Sequence, residues 1–495
     1  MAKNEFEVPT LTGKIETPSV KPGATSHIKS HPASSKHLET LGFPGELVPN
    51  WEKVALEKLE ELVSKNKALK VYLDTCVRCG NCTDRCQFFL GTGDPKNMPT
   101  ARAELLRAVY RKNFCLAGKL IEPLIHSKAM SKEVIEDWNT YFWQCSECRR
   151  CAVFCPFGID TAEITAAARQ VLNAIGIGQK YNLEILGKVT ELGNNLGIPK
   201  NALQNSLEVL EEEMEEDFDV SVKFPLDQKN VDVLMIVPSA DLFSSPHVES
   251  LIGYAKVFHQ AGVSWTLSSY ASEFANFGLF YGDYNLMKKV AQRIVDAARE
   301  LNVKRIIVGE CGHAWRVAYS YWDTLVGPFD FLDPQYKNPT HIVEYTLELM
   351  DKGALKIDKS ANDEFTVTMH DSCNVARASR MGDLPGGQFD LPRELIKRVC
   401  NNFVEMDPET IREKTFCCGG GGGLLTGEIM ELRVKGASPR VNALKKTMDN
   451  NGVNYMAMIC AICKAQFTTV LPQYDIPMDT VGGILQLVSN AIVLK

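Results

Sequence analysis

The stretch TCVRCGNCTDRC, residues 75–86, carries thiols at Cys76, Cys79, Cys82 and Cys86, and the spacing returns in CSECRRCAVFCP, residues 145–156, with Cys145, Cys148, Cys151 and Cys155 ahead of Pro156. Three thiolates two residues apart wrap one face of an iron-sulfur cube, and the fourth is aimed at the neighbouring cluster. The expected ligand sets are therefore crossed: Cys76, Cys79 and Cys82 with Cys155, and Cys145, Cys148 and Cys151 with Cys86. Structural zinc also uses Cys-x-x-Cys pairs, but it takes two pairs and leaves two full quartets and the proline unexplained. Gln87 stands where the first motif lacks its trailing proline, and the quartets are unusually far apart. Two cubane 4Fe-4S clusters would pass electrons singly and offer substrate no open position; they are wires.

Working outward, the chain has 495 residues, 45% of them hydrophobic, which is enough for at least two cores. A net charge of -7 gives no reason to expect nucleic acid as a partner. Residues Met1 to Thr10 mix both charge signs without an apolar run, and Val231 to Val237 is far shorter than the roughly 20 residues that cross a bilayer. A cytosolic chain with no transmembrane segment of its own is expected. Sixteen cysteines then point to metal rather than disulfides, because cytosolic thiols are kept reduced.

The expected organisation has five parts. Residues 1–50 form a disordered or partner-binding arm, since Thr17 to His37 is rich in Pro, Ser and Lys and has no acid. Residues 51–207 form a helical ferredoxin-type domain, with helices over Trp51 to Lys70, Ala101 to Lys112 and Thr161 to Ala174. The acidic stretch in 208–229 is a linker, as a solvated helix or hinge. From Val231 the texture alternates: strands over 231–237, 263–267 and 303–308 with helices over 248–261 and 286–301, then strands over 365–369, 403–406 and 455–459 with helices over 392–399 and 427–448. This predicts an α+β fold continuing into α/β, with parallel sheets duplicated in tandem over 230–355 and 356–495. In that duplication His370-Asp371-Ser372-Cys373 corresponds to Val237-Pro238-Ser239-Ala240, Phe416-Cys417-Cys418-Gly419 to Asn276-Phe277-Gly278, and Cys460-Ala461-Ile462-Cys463 to Cys311-Gly312-His313-Ala314.

Cys373, Cys417, Cys418, Cys460 and Cys463 thus fall at or near the carboxyl ends of predicted strands, where open α/β sheets bind ligands. Adjacent thiols are awkward for a cube and suit a split or bridged iron. Gly419 and Gly420 open a run of five glycines that permits close backbone approach to a cofactor. A phosphate loop is disfavoured, because no Lys-Ser or Lys-Thr follows the glycines.

The series Cys, Cys-Cys-Gly, Cys-x-x-Cys resembles the CCG domain of heterodisulfide reductases. Two ferredoxin-type motifs followed by paired CCG halves resemble the HdrD-type family and, more closely, its DsrK-type members in the Dsr transmembrane complexes of sulfur metabolism; CCG subunits serving flavin dehydrogenases share the motifs. The resemblance implies that Cys373, Cys417, Cys418, Cys460 and Cys463 hold one noncubane-type 4Fe-4S cluster that cleaves a sulfur-sulfur bond. It also implies a DsrC-like sulfur carrier protein as substrate, and a haem b membrane subunit of a quinone-linked complex as electron donor, holding the chain peripherally at the cytoplasmic membrane. The first half, with Cys311 alone, cannot hold a second such cluster. Cys311 is either a participant, exchanging with the disulfide or adding a ligand, or a buried relic. His313, Arg316 and His370 are candidate proton donors or anion binders. A small-thiol heterodisulfide reductase and a pure electron relay stay open as alternatives.

Overall fold

The computed structural model describes residues 34–120, 125–274, 276–426 and 429–494. Most of the expected arm lies outside these residues; its end carries the helix Ser35–Leu41. The chain divides into two units, and the division cuts across the linear boundaries expected from sequence. The first unit takes the described residues up to Gly187 together with Phe277–Tyr284 and Phe416–Asn442, and the second takes the rest.

The first unit is helical. Helices Trp51–Lys65, Lys67–Thr75, Pro99–Phe114, Lys132–Phe142 and Thr161–Ala174 enclose a core that includes Leu59, Leu106, Ile135, Trp138, Ile164 and Leu172. The single helix expected over 51–70 is two. Asn66 leaves the helical region at φ -97° and ψ 94°, and its side chain accepts from the Leu69 N–H to start the next helix. That second helix ends at Cys76, so a capping asparagine sets where the first cysteine loop begins. Pro99 opens its helix at a position where its missing N–H costs nothing.

The second unit is α/β. Its first sheet holds β1 (Val233–Ile236), β2 (Trp265–Thr266), β3 (Arg305–Val308) and β4 (Thr340–His341), all parallel in the order β2-β1-β3-β4. Its second holds β5 (Val367–His370), β6 (Tyr455–Met458) and β7 (Val481–Gly483), parallel in the order β5-β6-β7. The strand expected over 403–406 is reduced to one parallel bridge, Val367 with Phe403. Counting that bridge, the two sheets share one topology; β1, β3, β5 and β6 are fully buried, β1 and β6 being almost wholly apolar runs as parallel strands covered on both faces favour, while β3 and β5 carry the buried polar side chains Arg305, Thr368 and His370. Gly253 lets helix Val248–Ala261 close on Ile484–Ala491: a Cβ there would stand 2.2 Å from the Leu485 carbonyl oxygen. No helix among the described residues is long and apolar enough to cross a membrane.

The loop after β5 is anchored by charge. Arg393 donates from both terminal nitrogens to Asp371, each at 2.8 Å, and from Nε to Glu405 at 2.6 Å. Asp371 also takes the Arg412 N–H at 2.7 Å, and its carbonyl takes the Thr415 hydroxyl at 2.9 Å. Asp371 and Arg393 are both buried. Arg393→Leu leaves that carboxylate uncompensated and is expected to lower unfolding free energy by about 3–5 kcal/mol, read by denaturant titration of the intact protein.

Candidate metal centres

The two cysteine quartets adopt one loop conformation. Backbone φ is positive at Arg78 and Glu147, two residues after the first cysteine of each motif, and again at Gly80 and Arg149, one residue after the second. Glycine is at ease there; the other three are held by ion pairs, Arg78 with Glu104 at 2.6 Å, Arg149 with Asp160 at 2.8 Å and Arg169 with Glu147 at 3.1 Å. Cys76, Cys79, Cys82 and Cys155 line one cavity, which Cys151 also borders. Burial, with Cys76 and Cys155 as neighbouring thiols, pushes the Cys82 thiol up to about 11. On the other side, burial works against the Arg102 charge, but Cys145, Cys86 and Cys151 together hold its proton more tightly than usual. Cys155 of the second motif thus stands beside the cysteines of the first, and Cys86 of the first stands with Cys145 and Cys151 around Arg102.

These residues fit iron-sulfur clusters by a further test. Backbone N–H groups donate to sulfur at 3.4 Å from Glu147 to Cys145, Ile159 to Cys155, Gly419 to Cys417 and Gly420 to Cys418, which is how cluster thiolates are tuned. Thiols packed this closely resist ionising one by one, and a cationic metal core removes the conflict.

Within the first unit, the glycine run meets the second motif. A Cβ on Gly422 would lie 2.8 Å from the Ser146 Cα and 2.9 Å from the Cys145 oxygen. Arg169, wholly buried, ties the pieces together: it donates to the carbonyls of Phe142, Cys145, Phe280 and Gly422 and lies over the Trp143 ring at 4.1 Å. Arg150, next to Cys151, lies 3.8 Å over the ring of Phe416, next to Cys417. Gly422 has φ 67°, so Gly422→Val meets both a forbidden conformation and a wall; a loss of about 2–4 kcal/mol is expected, read as a lowered melting temperature of the cluster-loaded chain.

In the second unit, β3 and β6 each run into a cysteine that caps a helix: Cys311 before Gly312–Val326 and Cys460 before Ala461–Val470. The donor atoms of Cys311, His313 and Cys460 lie within 4.8 Å of one another, and all three residues are buried. His313 Nδ1 is 3.6 Å from Cys460 Sγ. Burial opposes charge on Cys460, yet hydrogen bonds from Cys311, Cys463 and His313 hold its thiol well below the ordinary value; that same bond to Cys460, with burial, pushes Cys311 up. Beneath the trio sits a buried charge network. Lys464 donates to Ser250 at 2.7 Å and lies 3.5 Å from Glu310 and 3.8 Å from Asp241. Glu310 in turn accepts the Ile484 and Leu485 N–H groups, while its carbonyl accepts that of Ala461.

Cys373 begins the helix Cys373–Ala378 and accepts from Asn374 Nδ2 at 3.5 Å. That loop is pressed against Gly312, where a Cβ would stand 2.2 Å from Ser372 Oγ. Arg316 donates to Asn374 Oδ1 at 3.1 Å, so it props this loop. His370 is buried at the end of β5, edge-on to Phe467, and is not part of the trio. Cys417 and Cys418, with Gly419 and Gly420, belong to the first unit, whereas Cys373, Cys460 and Cys463 belong to the second. Sequence reading missed Arg169, Arg102 and the Lys464 network, because an isolated charge in a helical pattern looks like a solvated residue.

Comparison with known proteins agrees with this layout. Residues 72–159 match the model of a 4Fe-4S dicluster domain, and residues 367–468 that of the CCG cysteine-rich domain. The chain is similar to an Hdr-like menaquinol oxidoreductase iron-sulfur subunit of Archaeoglobus profundus, 37% identical over 90% of this chain and 84% of the relative. A second such subunit, from Archaeoglobus fulgidus, is 36% identical over the same shares, 90% and 84%. One subunit of the dihydromethanophenazine:CoB--CoM heterodisulfide reductase of Methanosarcina mazei is 25% identical over 86% of this chain and 95% of the relative.

Proposed function

From the premise that this chain belongs to the family of Hdr-like menaquinol oxidoreductase iron-sulfur subunits, we propose that it is the disulfide-handling oxidoreductase of a membrane-attached, quinone-linked complex. Electrons would enter from a haem b membrane partner at the cytoplasmic face. The substrate would be a DsrC-like sulfur carrier protein in its disulfide or trisulfide form. Cleaving a disulfide consumes two electrons and two protons and releases two thiols, while cubane clusters deliver electrons one at a time. Cys373, Cys417, Cys418, Cys460 and Cys463 would hold a noncubane-type 4Fe-4S cluster, which when bound supplies an iron able to take a substrate sulfur.

The observation that carries the reading is the contact between the second ferredoxin-type motif and the glycine run that follows Cys417 and Cys418. Electron tunnelling falls steeply with distance, so a loop whose glycine touches the backbone of Cys145 is where a wire would hand over. Arg169 fixes that contact. Around Cys460 the buried side chains exclude water. His370 ends the strand paired with that of Cys460 and stands as a proton donor for the leaving thiolate.

The test is anaerobic turnover of the cluster-loaded chain with a reduced viologen dye as donor. Carrier protein in its disulfide form should yield two thiols per two electrons, and in its trisulfide form two thiols and one sulfide per four. Full cluster content with no thiol release from the carrier or from any small heterodisulfide would overturn the reading in favour of a relay. Turnover of small heterodisulfides alone would instead support the second substrate class, which the likeness to the Methanosarcina reductase favours.

A further inference from the structure

We propose that the half of the α/β unit lacking its own cysteine set completes the metal centre of the other half, with His313 Nδ1 and Cys311 Sγ bound to the metal that Cys460 holds. The centre would then carry one nitrogen ligand. This rests on the reading of Cys460 as a metal ligand, but it assigns donors that the CCG cysteine pattern does not contain.

Geometry is the first argument. At a tetrahedral metal with metal–sulfur bonds near 2.3 Å and metal–nitrogen bonds near 2.0–2.1 Å, sulfur and nitrogen donors stand about 3.5 Å apart. His313 Nδ1 and Cys460 Sγ are 3.6 Å apart, and Cys311 Sγ joins them with every separation inside 4.8 Å. Two sulfurs on such a metal stand about 3.8 Å apart, so the His313–Cys460 separation matches one tetrahedral edge and Cys311 lies within reach of the same ion.

Topology is the second. β3 and β6 occupy equivalent places in their sheets, and each delivers a cysteine to the N-cap of the following helix. Both helix N-termini therefore turn partial positive charge toward the trio. Close approach of the two halves is built in at Gly312, whose missing side chain makes room for Ser372. His313 lies one residue into the helix that Cys311 caps, so the backbone that presents the cysteine also presents the ring.

Burial is the third. The donors are 3%, 1% and 0% exposed, for Cys311, His313 and Cys460, so water does not satisfy them. Lys464, itself inaccessible, is held at 3.5 Å from Glu310 and 3.8 Å from Asp241, so its charge is answered by carboxylates, and two thiolates in such a place need a metal cation to stay ionised. Two sulfurs and one imidazole nitrogen form a donor set suited to iron or zinc rather than to a hard cation.

The experiment uses the full chain, produced with 15N-labelled histidine and loaded with clusters anaerobically, and reads the oxidised third centre by pulsed electron paramagnetic resonance alongside iron, zinc and sulfide analysis. The expected result is a 15N coupling of the strength that only a directly bonded nitrogen gives. It should vanish in His313→Gln while most of the iron stays, because the other thiolates still hold the centre. His313→Cys, which restores a donor if the Gln variant fails to fold, should keep the metal and lose the coupling. A third paramagnetic centre with only weak, remote nitrogen coupling would overturn this inference and leave the functional reading standing. No third centre, with iron for two clusters only and no zinc, would overturn both. One zinc bound beside those two clusters and lost in His313→Gln would uphold the donor set and sink the redox role.

Discussion

Cys460→Ala is expected to stop disulfide cleavage while sparing both ferredoxin-type clusters. The side chain is fully buried, caps a helix, and is held toward the thiolate by Cys311, Cys463 and His313 against the cost of burial. Alanine removes the sulfur around which those donors are arranged and offers the metal nothing in return. Turnover should fall by at least about 10³-fold, equivalent to about 4 kcal/mol of barrier. Iron should drop toward the about eight atoms that two cubane clusters hold. The protein should still be reduced by a viologen dye, with the low-temperature spectra of the two cubes unchanged. An active variant would show that the substrate sulfur is handled elsewhere.

Cys86→Ala should injure the second cluster rather than the first, although Cys86 closes the first motif. Its thiol shares the buried Arg102 guanidinium with Cys145 and Cys151, while Cys155 lines the cavity of Cys76, Cys79 and Cys82, with Cys151 at its border. Removing Cys86 takes away one anchor and leaves Arg102 with less negative charge around it. The expected outcome is a second cluster that loses one iron or all of about four, with the first intact. Because the second motif is the one touching the glycine run, steady-state turnover should fall about as far as in the Cys460 variant. Magnetic resonance of the reduced protein separates the two cubes and checks the assignment. Loss of the first cluster in its place would refute the crossed ligation.

Much of the metal chemistry is legible in the sequence because it is written in local spacing. A Cys-x-x-Cys-x-x-Cys run is a local signature of cluster ligation, and the strand-to-cysteine junctions at Cys311, Cys373 and Cys460 follow from alternation along the chain. The alternation of strands and helices after Val231 is legible too, and it appears as two parallel sheets, β2-β1-β3-β4 and β5-β6-β7. What escapes depends on long-range pairing. Val404 donates to Val367, but only one bridge forms there, so the Phe-Val-Glu-Met run over 403–406 reads as a strand that the fold barely uses. Asn66 reads as one polar position in a long helix, yet its side chain starts a second one. Lys464 and Glu310 are charges whose burial no local pattern announces. His313 stands out in the sequence for its neighbour Cys311, but its closeness to Cys460 comes from two strands far apart in the chain.

The first unit is assembled from three separate pieces of chain, the last of them Phe416–Asn442. Nascent polypeptide emerging from the ribosome therefore carries both cysteine quartets long before the segment that packs over Cys145 has been made. Iron delivered early would meet loops still open on one side, prone to oxygen and to losing metal. Maturation of the second cluster should accordingly wait for translation to pass Asn442, and a protein truncated before Phe416 should emerge with a labile second cluster even though every one of its ferredoxin-type cysteines is present.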